Sequence, residues 1–116
     1  MRSMNYSIIL SSTFKRSIRR LKRRYPRVQD DMSEAITVLQ KSPRLGVVIP
    51  HSNGVRKMRV RNRDAQRGKS GGYRLIYYVV DEPQERLTLL FAYSKSDRSD
   101  ITQAELQTFL EELDSM

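Results

Sequence analysis

Arg56-Lys57-Met58-Arg59-Val60-Arg61, Tyr73-Arg74-Leu75-Ile76-Tyr77-Tyr78-Val79-Val80 and Arg86-Leu87-Thr88-Leu89-Leu90-Phe91-Ala92-Tyr93-Ser94 are three strand-length runs that follow one another along the chain. Turn formers separate them: Pro50 to Gly54 before the first, Gly68, Gly71 and Gly72 before the second, and Pro83 before the third. The first run alternates. A pleated strand sends successive side chains to opposite faces, so Lys57, Arg59 and Arg61 share one face while Met58 and Val60 take the other. The second and third runs are apolar on both faces, the pattern of strands that are covered on both sides. Together they predict a three-strand meander over Val55–Arg61, Tyr73–Val80 and Arg86–Ser94.

Upstream, Asn5 to Ser11 alternates and predicts a first strand, at an edge of the meander or alongside its last strand. Ser11, Ser12 and Thr13 are good N-caps. Phe14, Ile18, Leu21 and Tyr25 then recur on one helical face, with Lys15, Arg16, Arg19, Arg20, Lys22, Arg23 and Arg24 between them. Pro26 ends this helix and is expected in the first turn of the next. The second helix has the stripe Val28, Met32, Ala35, Ile36 and Leu39. Asp30, Asp31 and Glu34 lie near its N-terminus, where the helix dipole favours acids, and Ser42-Pro43 stops it. Leu45 to Ile49 reads as a brief strand or a packed loop. Downstream, Thr102-Gln103-Ala104-Glu105 is a capping box, followed by Leu106, Phe109, Leu110 and Leu113 at helical spacing. Strand, helix, helix, meander, helix predicts a single α+β domain over residues 1–116, an antiparallel sheet with helices on one side.

The 22 Lys and Arg all precede residue 99. Residues 1–100 hold nine acids and carry +13, whereas the last sixteen hold four acids and no base, giving −4. Charge clustered in this way points to a polyanionic partner such as nucleic acid. No run approaches the ~18 apolar residues of a membrane span. With no cysteine, the chain fits a reducing, cytoplasmic compartment and has no thiol nucleophile or Cys-based metal site. Residues 1–29 hold nine bases and no acid, like a mitochondrial presequence, but Tyr6 to Leu10 reads as a strand and the helix after it as core.

His51, the sole histidine, lies in a turn cluster and reads as a surface residue; it supports neither a metal site nor a catalytic triad. Gly68-Lys69-Ser70-Gly71-Gly72 lacks phosphate-loop spacing and precedes a strand. Its glycines permit a close approach to phosphate and equally suit a plain hairpin loop. The basic helix can grip RNA phosphates or be a solvated face. What remains is Lys, Arg and Tyr on a sheet face. That set suffices for RNA cleavage through RNA's own 2′-hydroxyl, with no cofactor: a lysine as base, arginines on the phosphate, a tyrosine for stacking or proton donation.

At Lys57-Met58-Arg59, Gly68-Lys69-Ser70-Gly71-Gly72-Tyr73-Arg74-Leu75-Ile76-Tyr77-Tyr78 and Tyr93-Ser94-Lys95-Ser96-Asp97, the chain resembles the RelE/ParE toxin superfamily, and most closely its HigB-like RelE branch. The resemblance implies a RelE-like β-α-α-β-β-β-α fold and a type II toxin–antitoxin toxin that cuts mRNA on the ribosome. It also implies a cognate antitoxin, often with a helix-turn-helix domain. Carried onto these residues, it implies a catalytic set of Lys57, Arg59, Arg74, Lys95 and Tyr93. Arg61, Lys69, Arg19, Arg20 and Arg23 stand as further RNA contacts. Ser96 and Thr102 replace an arginine and a tyrosine of the better-known pattern. Two rival functions share the fold: a ParE-like gyrase inhibitor without catalysis, and a non-enzymatic RNA-binding module.

Overall fold

The computed structural model describes residues 6–65, 72–81 and 83–116. The chain forms β1 (Ser7–Leu10), α1 (Ser12–Lys22), α2 (Val28–Lys41), β2 (Val47–Val48), β3 (Arg56–Val60), β4 (Tyr73–Val80), β5 (Arg86–Ser94) and α3 (Gln103–Asp114). Each boundary has a local cause. The Ser11 hydroxyl accepts from the Phe14 N–H at 3.0 Å and starts α1. Thr102 and Glu105 close the expected capping box at the head of α3. Pro26 lies in the turn between α1 and α2, ahead of the Arg27 N-cap, and not in the first turn of α2. Among the described residues, no helix is long and apolar enough to cross a membrane.

The five strands form one sheet in the order β1-β5-β4-β3-β2. The meander is antiparallel, and Val47–Val48 adds a short fifth strand against β3. The sheet is mixed, because β1 runs parallel to β5. The helical hairpin makes this possible: it carries the chain from β1 at one edge over the sheet to β2 at the other.

The helices cover both faces, a departure from the one-sided expectation. Phe14, Ile18 and Leu21 of α1 and Val28, Met32, Ala35 and Leu39 of α2 pack on Val60, Tyr73, Leu75, Tyr77, Leu87, Leu89 and Ala92. On the opposite face, Leu106 and Phe109 of α3 pack on Ile76, Leu90, Phe91 and Tyr93. A bulge adjusts the second surface. Ile76 pairs with Phe91 and Tyr77 with Leu89, so Leu90 is extra and both Leu90 and Phe91 turn toward α3. Each buried Val, Leu, Ile, Met or Phe among them contributes about 1.5–3 kcal/mol of transfer free energy.

One buried charge fixes the exit of β3. The Asp31 side chain is fully buried on α2; its Oδ2 accepts from the Arg63 N–H at 3.1 Å and its Oδ1 lies 3.3 Å from Arg63 Nε. Asp64 accepts from the Arg27 N–H at 2.8 Å and its Nε at 2.9 Å, and the backbone bond leads in holding its carboxyl below the usual range. Residues 62–65 are thus docked onto the start of α2.

Candidate functional site

α3 covers only part of its face. Toward β3 and β2 the same face turns cationic, and there Lys57, Arg59, Arg74 and Lys95 line an open cavity of about 570 Å³ together with Leu45, Gly46, Val47 and Met58. The ladder register explains the convergence. Arg59 pairs with Arg74 across β3 and β4, and Arg74 pairs with Tyr93 across β4 and β5. Lys95 extends the row beyond β5, its N–H bonded to the Gly72 carbonyl at 3.0 Å.

Two arginines directly opposite in a ladder repel one another, which is destabilising. Among the described residues, Arg59 has no ion pair or hydrogen bond, and the Arg74 guanidinium only donates to its neighbour Tyr73's carbonyl at 3.3 Å. Among the described residues, no carboxylate pairs with either guanidinium. The lysines are differently held. Lys57 Nζ lies 3.2 Å from Asp100 Oδ1, and Lys95 Nζ donates to the Ser99 carbonyl at 2.9 Å. Burial pulls the Asp100 carboxyl upward, but the Ile101 N–H and the ammoniums of Lys57 and Lys95 outweigh it and hold it below the usual carboxylate range.

Tyr93 lies beneath this set. It is buried, and its hydroxyl lacks a hydrogen-bond partner among the described residues. Burial, aided by the Asp100 charge, pushes the phenol up, while Arg74 and Arg98 partly counter it. Arg98, which the sequence pattern did not single out, is its lid. The guanidinium sits 5.5 Å from the Tyr93 ring centroid and 5.7 Å from that of Phe91. It also holds Glu105 through two contacts of 2.9 and 2.5 Å, tying the head of α3 to the sheet. No periodicity marks Arg98; the spacing of a cation seven residues before a capping-box glutamate is its only trace.

The other expected residues fall elsewhere. Arg61 is exposed just past β3, on the same alternation as Arg59. Arg19 and Arg20 are exposed on α1 and Arg23 is its exposed C-cap; α1 packs against the opposite face of the sheet, so they do not line the cavity. Arg24, next to them, pairs with Asp97 just beyond Lys95. Lys69 and the glycines at 68 and 71 lie outside the described residues. Ser96 Oγ is 2.9 Å from Ser94 Oγ and 3.4 Å from the Tyr25 hydroxyl, and Thr102 is engaged as the α3 cap.

Chemically, the cavity offers four cations, two of them forked donors suited to the non-bridging oxygens of a phosphate. It has an apolar wall on the β2 side.

Two solved structures share this architecture. A double arginine-to-alanine mutant of E. coli toxin RelE in the free state matches with TM-score 0.54 and 17% identity, over 93% of this chain and 93% of that one. The toxin–antitoxin complex RelBE2 from Mycobacterium tuberculosis matches with TM-score 0.58 and 20% identity, over 85% of this chain and 98% of that one. At these identities the likeness shows the fold. The family described as RelE toxin of the RelE/RelB toxin–antitoxin system matches residues 12–113, from the first turn of α1 to the last of α3. With its β-α-α-β-β-β-α order extended by the short β2, the chain belongs to the RelE toxin family.

Proposed function

We propose that this chain is a type II toxin that cuts mRNA on the ribosome and is silenced by a cognate antitoxin. The observation that carries this reading is the unneutralised Arg59/Arg74 pair, set between Lys57 and Lys95 in one cavity of a RelE-family chain. A protein tolerates such repulsion where an anion completes the site.

In the proposed reaction the 2′-oxygen of one nucleotide attacks the adjacent phosphorus. The bond to the 5′-oxygen breaks, leaving a 2′,3′-cyclic phosphate and a 5′-hydroxyl. Arg59 and Arg74 take the non-bridging oxygens and stabilise the charge that grows on them. Lys57, a cation paired with Asp100 in the free chain, exchanges that carboxylate for the phosphate. The 2′-hydroxyl proton leaves to solvent, and the Lys95 ammonium protonates the departing 5′-oxygen. DNA lacks the 2′-hydroxyl and is not a substrate. Arg19, Arg20 and Arg23 form a separate phosphate-binding stripe that suits structured RNA at a distance from the cut. The antitoxin partner is inferred from the family and from the toxin–antitoxin complex among the similar structures.

The test is brief induction of wild type and the Lys57→Ala/Arg74→Ala variant in translating cells, followed by mapping of mRNA 5′ ends. The reading expects new ends within coding sequence for wild type only, with growth arrest relieved in the variant. Arrest with intact mRNA and trapped gyrase–DNA complexes would replace it with the gyrase reading.

A further inference from the structure

The apolar wall of the cation cavity has no role in the chemistry above. Leu45 and Val47 are 56% and 66% exposed, yet both line the cavity. Val47 pairs with Lys57 across β2 and β3, so the two side chains stand together on one face. Single exposed aliphatics are ordinary on a surface. These two differ because the backbone between them is locked. A Cβ on Gly46 would lie 2.7 Å from the Lys57 carbonyl oxygen and 2.9 Å from the Tyr77 ring and hydroxyl. The Gly46 N–H donates to the Tyr77 hydroxyl at 2.8 Å, and that hydroxyl donates to the Pro43 carbonyl at 2.8 Å. Arg56 donates to the carbonyls of Gly46 at 2.7 Å and Arg44 at 3.2 Å. A buried tyrosine, a glycine and an arginine therefore hold two apolar side chains out in solvent, beside four cations.

We propose that Leu45 and Val47 form a platform for the face of a nucleobase next to the phosphate held by Arg59 and Arg74. The inference rests on the RNA reading and names what that site grips besides phosphate. A ligand that satisfies both walls carries an anion and a flat, weakly polar surface within a few ångströms of each other, which describes a nucleotide of single-stranded RNA. A cavity of about 570 Å³ is of the size that holds such a group. Apolar side chains against a base face are a standard way to hold an unstacked base. The contact is to the face and not the edge, so it favours larger bases without reading a letter.

The experiment compares wild type with Leu45→Asn/Val47→Asn on ribosome-bound mRNA whose nucleotide beside the cut is either normal or abasic, with single-turnover rates as the readout. Removal of the base is expected to slow wild type about ten-fold, toward the low end of what a base stacked on an aromatic side chain contributes. The variant is expected to be about ten-fold slower than wild type on normal mRNA and to lose nothing further on abasic mRNA. Both side chains are exposed, so its unfolding temperature should match wild type. A variant as fast as wild type on normal mRNA overturns the platform, and so do two losses that simply multiply. A variant that cuts normally but no longer yields to its co-expressed antitoxin overturns it in favour of a protein strand on the β2 edge. Arg74→Ala separates the failures: if it still cuts, the RNA reading itself is wrong; if it is dead while the variant behaves as wild type, only the platform is.

Discussion

On the α3 side of the sheet, Ile76, Leu90 and Phe91 lie under Leu106 and Phe109, while one row away the paired Arg59 and Arg74 line an open cavity. The two regions share strands, backbone geometry and a face, yet they follow opposite rules. In the first, each side chain removes apolar surface from water and adds to stability. In the second, like charges sit opposite one another and subtract from it. Arg98 stands on the border, stacked on Phe91 and Tyr93 and bonded to Glu105 of α3. Folding and the proposed function thus fall on neighbouring halves of one surface, and substitutions should separate them.

The sharpest separation is expected from Phe109→Ala. Loss of a fully packed ring should cost about 3–5 kcal/mol in urea unfolding, with cleavage per folded molecule little changed. Next, Arg74→Ala should lower single-turnover cleavage about 100- to 1,000-fold, or roughly 2.7–4 kcal/mol in the transition state, while leaving unfolding free energy unchanged or higher. Arg98→Ala should cost about 1 kcal/mol at neutral pH by freeing the head of α3. The Arg98 bond is the main cause that lowers the Glu105 carboxyl in the folded chain. A lowered folded value means the stabilisation is complete above the ordinary glutamate value of 4.5 and fades as pH falls through the lowered one. The gap between wild type and Arg98→Ala in thermal melts should therefore close at acid pH. The smallest effect belongs to Arg59→Gln, which relieves the cross-strand repulsion and should stabilise the fold by about 0.2–1 kcal/mol while impairing cleavage.

Periodicity made the long elements readable. The runs Tyr73–Val80 and Arg86–Ser94 coincide with β4 and β5, and the capping box places the start of α3, because these signals are local. Alternation put Lys57 and Arg59 on one face and Met58 and Val60 on the other, and the register then added Arg74. What was not readable depends on partners distant in sequence. β4 and β5 are apolar on both faces, so nothing in them says which face α3 takes. The extra Leu90 is invisible without its partner strand. Asp31 read only as an acid favoured by the helix dipole; its burial depends on Arg63, 32 residues away. Tyr93 shares the alternation of the cationic row, yet Arg98 covers it, and that contact has no sequence signature. Lys95 is placed by the Gly72 carbonyl, a bond between two loops.

In the proposed function the Arg59/Arg74 pair at the heart of the uncovered cationic face serves the chemistry and adds no stability to the fold. The most direct measurement pairs single-turnover cleavage of ribosome-bound mRNA with thermal unfolding for Arg59→Ala/Arg74→Ala. Cleavage is expected to fall by at least about 100-fold, with an unfolding temperature equal to or above that of wild type. Cleavage that survives the double change, or that falls only in step with a lower unfolding temperature, would contradict it.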